Sequence, residues 1–328
     1  MTNFPGGIQA SPVVGANHFG WKYKAFRAPR AWFVDGVSGA DGSEGSDPES
    51  ALATPGRAIA LASAYDVIYV LDKGFDISSG DPTPYRETVT AGNLVITYAK
   101  NNLALVGVPH NIHDLFGLQI KAALTLTTPI LSVYAPLVAI ENLDFNGTGD
   151  ALARGNIYLY SNDATHAAEN CSVFNCHIRN GKGVAGVASQ GGGVVIQGGW
   201  YNSIIGNRFE NCRCGIYIVS AAGTVKGTRI EYNTFTGDIT LIDCDVYMNT
   251  GGSNIVTQTT IIGNKFCHDV GSYGYNKYIS VKGDGGCLGN YFAHLAVEAK
   301  ADGADIVVPL IFRMAGNFDE AGIILRTA

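Results

Sequence analysis

The stretch Ile262-Gly-Asn264-Lys-Phe266 is one copy of a short sequence motif that recurs along the second half of the chain. In each copy an aliphatic or aromatic residue stands on either side of an asparagine. The asparagines come at intervals of 26 to 33 residues, a spacing typical of repeat architectures in which each copy buries its apolar side against the next. The other copies are Ile140-Glu-Asn142-Leu-Asp-Phe145, Val173-Phe-Asn175-Cys-His-Ile178, Ile205-Gly-Asn207-Arg-Phe209, Ile230-Glu-Tyr-Asn233-Thr-Phe235, Leu288-Gly-Asn290-Tyr-Phe292 and the worn copy Ala315-Gly-Asn317-Phe318.

Short β-branched and aromatic runs lie between these copies, each preceded by glycine or short polar residues. Ile157-Tyr-Leu-Tyr160 and Ile216-Tyr-Ile-Val219 are examples. This alternation of strand and turn has no helical spacing in it. Parallel strands need a long crossover, and a chain that goes once round a coil for each repeat provides one. The sequence therefore predicts an all-β fold, a right-handed single-stranded parallel β-helix, with successive turns of the coil about 4.8 Å apart.

The repeated asparagines have a structural role in this prediction. We expect each to adopt a left-handed turn conformation at a corner of the coil. Its side-chain amide would then bond the equivalent amide on the turns above and below. The Phe or Ile that follows would point into the core. The predicted ladder consists of Asn142, Asn175, Asn207, Asn233, Asn264 and Asn290.

Three segments make up the predicted domain organisation. Residues 1–30 form an extended arm for docking on a neighbour, with apolar anchors at Phe4, Pro5 and Trp21; a disordered tail or a strand folded over the first coil is the alternative. Residues 31–318 form the β-helix, with a capping helix near residues 55–64 that begins at the N-cap Thr54 and at Pro55. Residues 319–328 form a C-terminal cap strand.

Charge and hydropathy narrow the range of partners. The formal net charge of −6 argues against nucleic acid or an anionic membrane as a partner. No apolar stretch approaches the length of a membrane span, so we expect no membrane insertion. The N-terminus lacks the pattern of a secretory signal peptide, which predicts assembly in a cytoplasm. The seven cysteines are expected to be free and buried rather than disulfide-bonded.

The segment Phe33-Val-Asp-Gly-Val-Ser-Gly-Ala-Asp-Gly-Ser-Glu-Gly, with Asp66-Val-Ile-Tyr-Val70 and Leu103-Ala-Leu-Val-Gly107, resembles the opening coil of the pectin-lyase-like right-handed β-helix proteins. The opening Asn3-Phe-Pro-Gly-Gly-Ile8, followed by Pro12-Val, is similar to the start of β-helix virion proteins of tailed bacteriophages. The second resemblance implies a decoration or spike protein, a homotrimer that contacts other virion proteins of the capsid or tail. It also implies that the chain is located in a virion.

Catalytic patterns of the polygalacturonases and pectate lyases are not found in the sequence. If the chain is an enzyme, the candidates are Asp243 and Asp245, which share one face of a strand and could act as a pair of glycosidase carboxylates. Glu210 and Asp238 are expected one coil away. The alternative is that both aspartates face solvent as corner residues, with Cys244 turned inward.

A loop rich in glycine and acidic residues offers a candidate metal site. Asp35, Asp41 and Asp47 could supply oxygen ligands to a structural calcium ion. Their spacing does not match an EF-hand loop, which favours a solvated turn as the alternative. No other cofactor is expected.

Two functions remain open from the sequence. The first is a structural virion protein, a trimeric capsid decoration or short spike anchored by its N-terminal arm, which contacts host-surface polysaccharide. The second is a polysaccharide-degrading enzyme, a tailspike depolymerase, lyase or glycosidase. A passive glycan-binding surface fits either one. Its expected aromatic residues are Tyr158, Tyr160, Tyr217, Tyr247 and Tyr278.

Overall fold

The computed structural model shows a coil of short parallel strands. It describes residues 30–71, 85–89, 94–108, 118–122, 128–147, 155–181, 192–220, 223–237, 244–249, 255–267, 277–281, 283–293, 306–307, 312–319 and 324–325. Three long sheets run along the coil, and each turn of the chain adds one strand to each of them. The fold is the predicted right-handed parallel β-helix.

The sheets are named A, B, C and D throughout. Sheet A contains Ala31–Val34, Val67–Leu71, Ala104–Val108, Ala139–Glu141, Ser172–Phe174, Ser203–Ile205, Arg229–Glu231, Thr259–Ile262, Gly285–Leu288 and Phe312–Ala315. Sheet B contains Tyr85–Val89, Leu118–Ala122, Asp144–Asn146, His177–Arg179, Arg208–Glu210, Thr234–Thr236, Lys265–Phe266, Tyr291–Phe292, Asn317–Asp319 and Ile324–Leu325. Sheet C contains Val95–Ile96, Leu131–Val133, Ile157–Asp163, Val194–Gln197, Cys214–Val219, Cys244–Asn249, Lys277–Val281 and Ile306–Val307, with His166–Ala167 paired antiparallel to Ile157–Asp163. The small sheet D contains Gly199–Trp200, Val225–Lys226 and Val256–Thr257.

Strand alternation forms the core. In sheet A, Ile140, Val173 and Ile204 stand opposite one another on successive turns and are fully buried. In sheet B, stacked phenylalanine rings continue the same core. The ring centroids of Phe209, Phe235, Phe266 and Phe292 are 4.9, 4.8 and 4.7 Å apart in turn. Because each ring contacts the next, the apolar edge of one repeat is buried only when the repeats stack.

One α-helix, Pro55–Leu61, occurs among the described residues, with 3₁₀ turns at Pro48–Ser50 and Tyr98–Lys100. The Arg57 backbone N–H donates to the Thr54 hydroxyl, as expected of an N-cap. The helix ends three residues earlier than predicted because Ala62 has an extended backbone. Its buried residues Ala58 and Ile59 join the core beside the first strands of sheet A. Its role as a lid on the end of the coil stays a prediction.

The predicted arm, with Phe4, Pro5 and Trp21, lies outside the described residues. At the other end, Ile324–Leu325 pairs antiparallel with Asn317–Asp319. The direction of the chain thus reverses at the last strand of sheet B.

The asparagine positions form two columns rather than the single column predicted. Asn142 and Asn175 come two residues after the inward aliphatic residue of sheet A, whereas the later asparagines come three residues after it. Asn142 and Asn175 occupy the left-handed corner, with φ of 55° and 48°. In later turns the preceding residue takes that conformation instead. These residues are Gly206, Tyr232, Gly263, Gly289 and Gly316. The expectation of a left-handed conformation at Asn207, Asn233, Asn264 and Asn290 is therefore wrong.

Displacement by one position puts the later asparagines inside the coil. The Asn233 amide donates to Asn264 Oδ1 at 3.0 Å and to the Ile204 carbonyl at 2.9 Å. Its backbone N–H donates to the same Oδ1 at 2.9 Å. The pattern repeats along a fully bonded buried ladder, which consists of Asn207, Asn233, Asn264, Asn290 and Asn317. Asn175 and Asn142 form a separate pair, in which the Asn175 side-chain amide donates a hydrogen bond to Asn142 Oδ1 at 2.8 Å.

All seven cysteines are free, and six of them are buried. Burial raises the pKa of Cys176, Cys212 and Cys287 to about 12. These thiols therefore behave as small apolar side chains, as predicted. Among the described residues, no helix combines the length and apolar character that crossing a bilayer requires.

Candidate functional site

A group of charged side chains lies on the outer face of sheet B, across three neighbouring strands. Phe145, Ile178 and Phe209 pair in register and point into the core. The residues on either side of them point outward, because side chains alternate along a strand. The outward side chains that form ion pairs with one another are called the ionic cluster. It consists of Asp144, His177, Arg179, Arg208 and Glu210.

Asp144 is the most deeply buried member of the ionic cluster. It is 0% exposed, although it stands on the outer side of its strand. The Arg179 guanidinium donates from Nε to Oδ1 at 3.1 Å and from Nη2 to Oδ2 at 2.7 Å. This two-point contact is the geometry in which a guanidinium binds a carboxylate best. Arg179 therefore compensates a charge that burial alone would make unfavourable.

His177 lies between the two carboxylates of the ionic cluster. Its Nε2 is 3.0 Å from Glu210 Oε2, and its Nδ1 is 3.7 Å from Asp144 Oδ1. Burial lowers the pKa of His177, and this effect outweighs the raising effects of Asp144 and Glu210. The ring is therefore neutral at pH 7. A neutral ring that donates from Nε2 to Glu210 keeps an unprotonated Nδ1 toward Asp144.

Glu210 and Arg208 are the solvent-exposed part of the ionic cluster. Arg208 Nη2 lies 3.1 Å from Glu210 Oε2, and the two side chains are 54% and 28% exposed. Glu210 can therefore touch an external molecule while it stays bonded to the buried imidazole. A carboxylate in this position can accept hydrogen bonds from sugar hydroxyls.

The structure does not support the solvent-facing position expected for Asp245. Asp245 is buried, and Asp243 lies outside the described residues. The corresponding position one turn earlier, Gly215, faces the interior, where a Cβ would lie 2.7 Å from the Phe235 ring. Alternation is interrupted at the start of this strand, because Val246, the next residue, also belongs to the interior core, and Asp245 is therefore turned toward the core and not toward solvent. Glu210, which was expected as a neighbour of the aspartates, belongs to the ionic cluster instead.

The three aspartates of the predicted calcium site bind different parts of their loop. Asp35 accepts from the Val37 and Ser38 backbone N–H groups at 3.0 and 3.1 Å. Asp41 accepts from the Thr54 backbone N–H at 3.0 Å and from its hydroxyl. Asp47 caps the turn Pro48–Ser50. Within the described ranges, no group of three or more His, Cys, Asp or Glu side chains is arranged to hold a metal ion.

The tyrosines expected to form an exposed glycan-binding row are mostly covered. Tyr158, Tyr217 and Tyr278 are buried, while Tyr160 and Tyr247 keep partial exposure. Tyr278 belongs to the coil interior, where its hydroxyl donates to the Ala293 carbonyl. The exposed aromatic residues lie elsewhere, near the corners. Among the described residues they are Tyr98, Trp200, Tyr201, Tyr232 and Phe318.

The ionic cluster was missed in the sequence, although a signal for it exists. Each of three consecutive repeats has polar or charged residues on both sides of the inward residue that follows the asparagine. The triplets are Asp144-Phe-Asn146, His177-Ile-Arg179 and Arg208-Phe-Glu210. Alignment of the repeats on the inward residue, rather than on the asparagine, would have stacked these triplets.

No protein-family model matches the chain, and no curated protein matches it. Among solved structures, a pectin methylesterase from Aspergillus niger is similar at a TM-score of 0.49 and 12% identity, over 91% of this chain and 88% of that one. A pectate lyase is similar at 0.39 and 11%, over 89% and 80%. A mannuronic acid specific polysaccharide family 6 lyase from human gut microbiota is similar at 0.40 and 13%, over 81% and 66%. At these values the similarities carry no argument about function.

Proposed function

We propose that this chain is a structural component of a tailed-bacteriophage particle, assembled as a trimer, whose sheet B face contacts glycans on a host surface. The particle assignment rests on the resemblance of the opening Asn3-Phe-Pro-Gly-Gly-Ile8 to phage β-helix proteins. Under this proposal residues 1–30 anchor the chain, and other virion proteins are its partners.

The use of polar groups in the coil supports a structural role. The asparagine ladder bonds each described turn from Ser203–Ile205 onward to the next through buried amides. Asp66, which directly precedes the second strand of sheet A, accepts from the Trp32 indole on the first strand, and this bond joins the two strands. Buried hydrogen bonds of this kind hold neighbouring turns in one register. A protein that must persist outside a cell benefits from such bonding.

The ionic cluster is the observation that carries the glycan contact. Arg208 and Glu210 present a donor and an acceptor side by side on a face whose neighbouring strands repeat about every 4.8 Å. Thr234 and Lys265 continue the Arg208 row on the next two turns. A regular row of polar groups suits a polymer of repeating polar units.

Retention on immobilised polysaccharides tests the contact. The full-length protein is expected to be retained on at least one column from a panel of bacterial surface glycans, without release of product. Arg208→Ala should reduce retention, while Arg57→Ala removes the same charge from the helix and should not. Wild-type protein that passes through every column would contradict the glycan contact.

A polysaccharide-cleaving enzyme is the second candidate, and the position of His177 favours it. A neutral imidazole between a buried carboxylate and a half-exposed one can hold Glu210 ready to give or take a proton. In this reading Glu210 is the acid or base at the glycosidic bond, and Arg208 binds the substrate. Asp144 and Arg179 position the imidazole.

Product release separates the two candidates. Wild-type protein and the Glu210→Gln variant are incubated with each polysaccharide whose column retains the protein, and new chain ends are counted. An enzyme should release product, with a loss of at least about 100-fold in the variant. Retention with no product from wild-type protein would exclude cleavage of those glycans and keep the structural proposal.

A further inference from the structure

The outer face of sheet A carries a column of mostly apolar residues. On successive strands, the residue that follows the inward one points outward and stands in register with its neighbours. Seven of the nine residues are apolar or aromatic, and the column is called the apolar stripe. It consists of Phe33, Tyr69, Val106, Glu141, Phe174, Ile205, Glu231, Ile262 and Leu288.

Solvent still reaches much of the apolar stripe. Phe174, Ile205, Ile262 and Leu288 are half-buried. Tyr232, at the adjoining corner, is one of the most exposed large side chains among the described residues. The corresponding face of sheet B carries the ionic cluster instead. Apolar side chains in a straight outward row, beside a charged face of the same coil, mark a surface for association.

The two acidic residues of the apolar stripe carry little free charge. The Arg229 guanidinium donates two hydrogen bonds to the Glu231 carboxylate, from Nε to Oε1 at 2.9 Å and from Nη2 to Oε2 at 2.7 Å. Glu141 is 3% exposed, and its Oε1 has no hydrogen-bond partner. Burial raises the pKa of Glu141 to about 8, so the carboxyl is mostly protonated at pH 7. A charged partner would therefore find no uncompensated charge along this row.

The dimensions of the apolar stripe suit a second copy of this chain. Nine strands at about 4.8 Å give a row about 38 Å long. Phe33, Glu141 and Glu231 are already buried within the chain, so six positions remain accessible. With a width of about 15 Å, they offer on the order of 400 Å² per copy, to which the exposed Tyr201 and Tyr232 at the corners add. A stable interface takes about 800 Å² from each partner. An identical straight apolar row has the matching length and chemistry.

We propose that the apolar stripe of sheet A is the surface through which copies of this chain associate, with their coil axes side by side. The number of copies, three, rests on the proposed function. Glu141 and Glu231 stand between apolar members of the row, so both would lie within this contact.

Light scattering on full-length protein tests the inference. Ile262→Lys puts a charge into the apolar stripe and is expected to reduce the mass in solution from that of an oligomer to that of one chain. Thr257→Lys is the matched control, because Thr257 is a half-buried residue of sheet D on the same turn of the coil. The control should keep the wild-type mass, and far-UV circular dichroism should be unchanged in both variants.

Cross-linking gives a second measurement that does not depend on the lysine variants. Under an added thiol oxidant, Ile205→Cys should give disulfide-linked chains on a non-reducing gel, and Thr257→Cys should not. An oligomer that survives Ile262→Lys, together with no cross-link at Ile205→Cys, would show that copies do not associate through the apolar stripe. The particle proposal would still stand. A wild-type protein that is monomeric at every concentration would overturn the apolar stripe and the trimer, whereas the glycan columns test the contact separately.

Discussion

The early and late turns of the coil bond to one another in different places. In the early turns the interior position three residues after the inward aliphatic residue holds Leu143 and Cys176, and ion pairs such as Asp144–Arg179 join neighbouring strands on the outer face. In the late turns the same interior position holds Asn233, Asn264 and their equivalents, whose amides join the turns from inside. Neighbouring parallel strands are thus linked by directional side-chain bonds in both regions. The contrast shows that these bonds need not lie on the same side of the sheet.

Arg179→Met should have the largest effect, because it breaks the outer link of the early turns. It removes the partner of a fully buried carboxylate, and we expect a loss of about 3 to 5 kcal/mol in the free energy of unfolding. Chemical denaturation followed by circular dichroism measures it. The comparison variant is Arg208→Met, whose exposed ion pair should contribute less than about 1 kcal/mol. Equal losses in the two variants would mean that Asp144 does not depend on Arg179.

Asn264→Leu breaks the inner link of the late turns. Leucine is what the first repeat has at the corresponding interior position, Leu143. The change removes the acceptor of the Asn233 backbone N–H and one of the two acceptors of the Asn233 side-chain amide, and the Ile230 carbonyl loses the Asn264 donor. Because unpaired buried groups are costly, we expect a loss of about 3 to 4 kcal/mol in the same denaturation experiment. A near-neutral result would show that the ladder is dispensable once the interior is apolar.

Glu141→Met sharpens the contrast, because Glu141 is a buried polar residue whose Oε1 lacks the hydrogen bond that the ladder amides have. The folded-state pKa of about 8 exceeds the ordinary value of 4.5. The folded protein therefore binds the extra proton between these pH values, and its stability falls as the pH rises toward 8. The substitution should stabilise the protein by about 2 to 3 kcal/mol at pH 7 and have little effect near pH 4. Thermal unfolding at several pH values checks this, and a gain that does not vary with pH would contradict it.

Asn175→Gly should have the smallest effect. The variant loses the side-chain hydrogen bond to Asn142, but glycine adopts the positive φ at this corner without strain. Gly206 and Gly263 occupy the equivalent corner in later turns. We expect a change within about 1 kcal/mol in either direction. Asn207→Gly lies on the next turn, one position later in the repeat motif, and removes a ladder residue. In parallel denaturation experiments its loss in the free energy of unfolding should be several times larger.

The repeat motif predicted the fold because its period and composition are local properties. Alternating β-branched runs, turns rich in glycine, and one asparagine per 26 to 33 residues are compatible with few architectures other than a coil of parallel strands. The helix start at Thr54–Pro55 and the buried thiols were also predictable, because caps and small apolar side chains depend on few neighbours. Candidate sites were harder to predict. Asp245 was expected at the surface and is buried, and the ionic cluster was not recognised.

The sequence by itself determined the repeat, the strands and the apolar core, since these depend on the spacing of residues within one turn of the coil. Tertiary structure alone decided which residues of different turns stand opposite one another. A shift of one residue separates the corner pair Asn142–Asn175 from the interior ladder, and it turns a side chain from the outside of the coil to the inside. Asp144, His177 and Glu210 are more than 30 residues apart in sequence from one to the next and meet only because their strands pair in register. The chemistry of the outer face therefore depends on strand register, which no single repeat encodes.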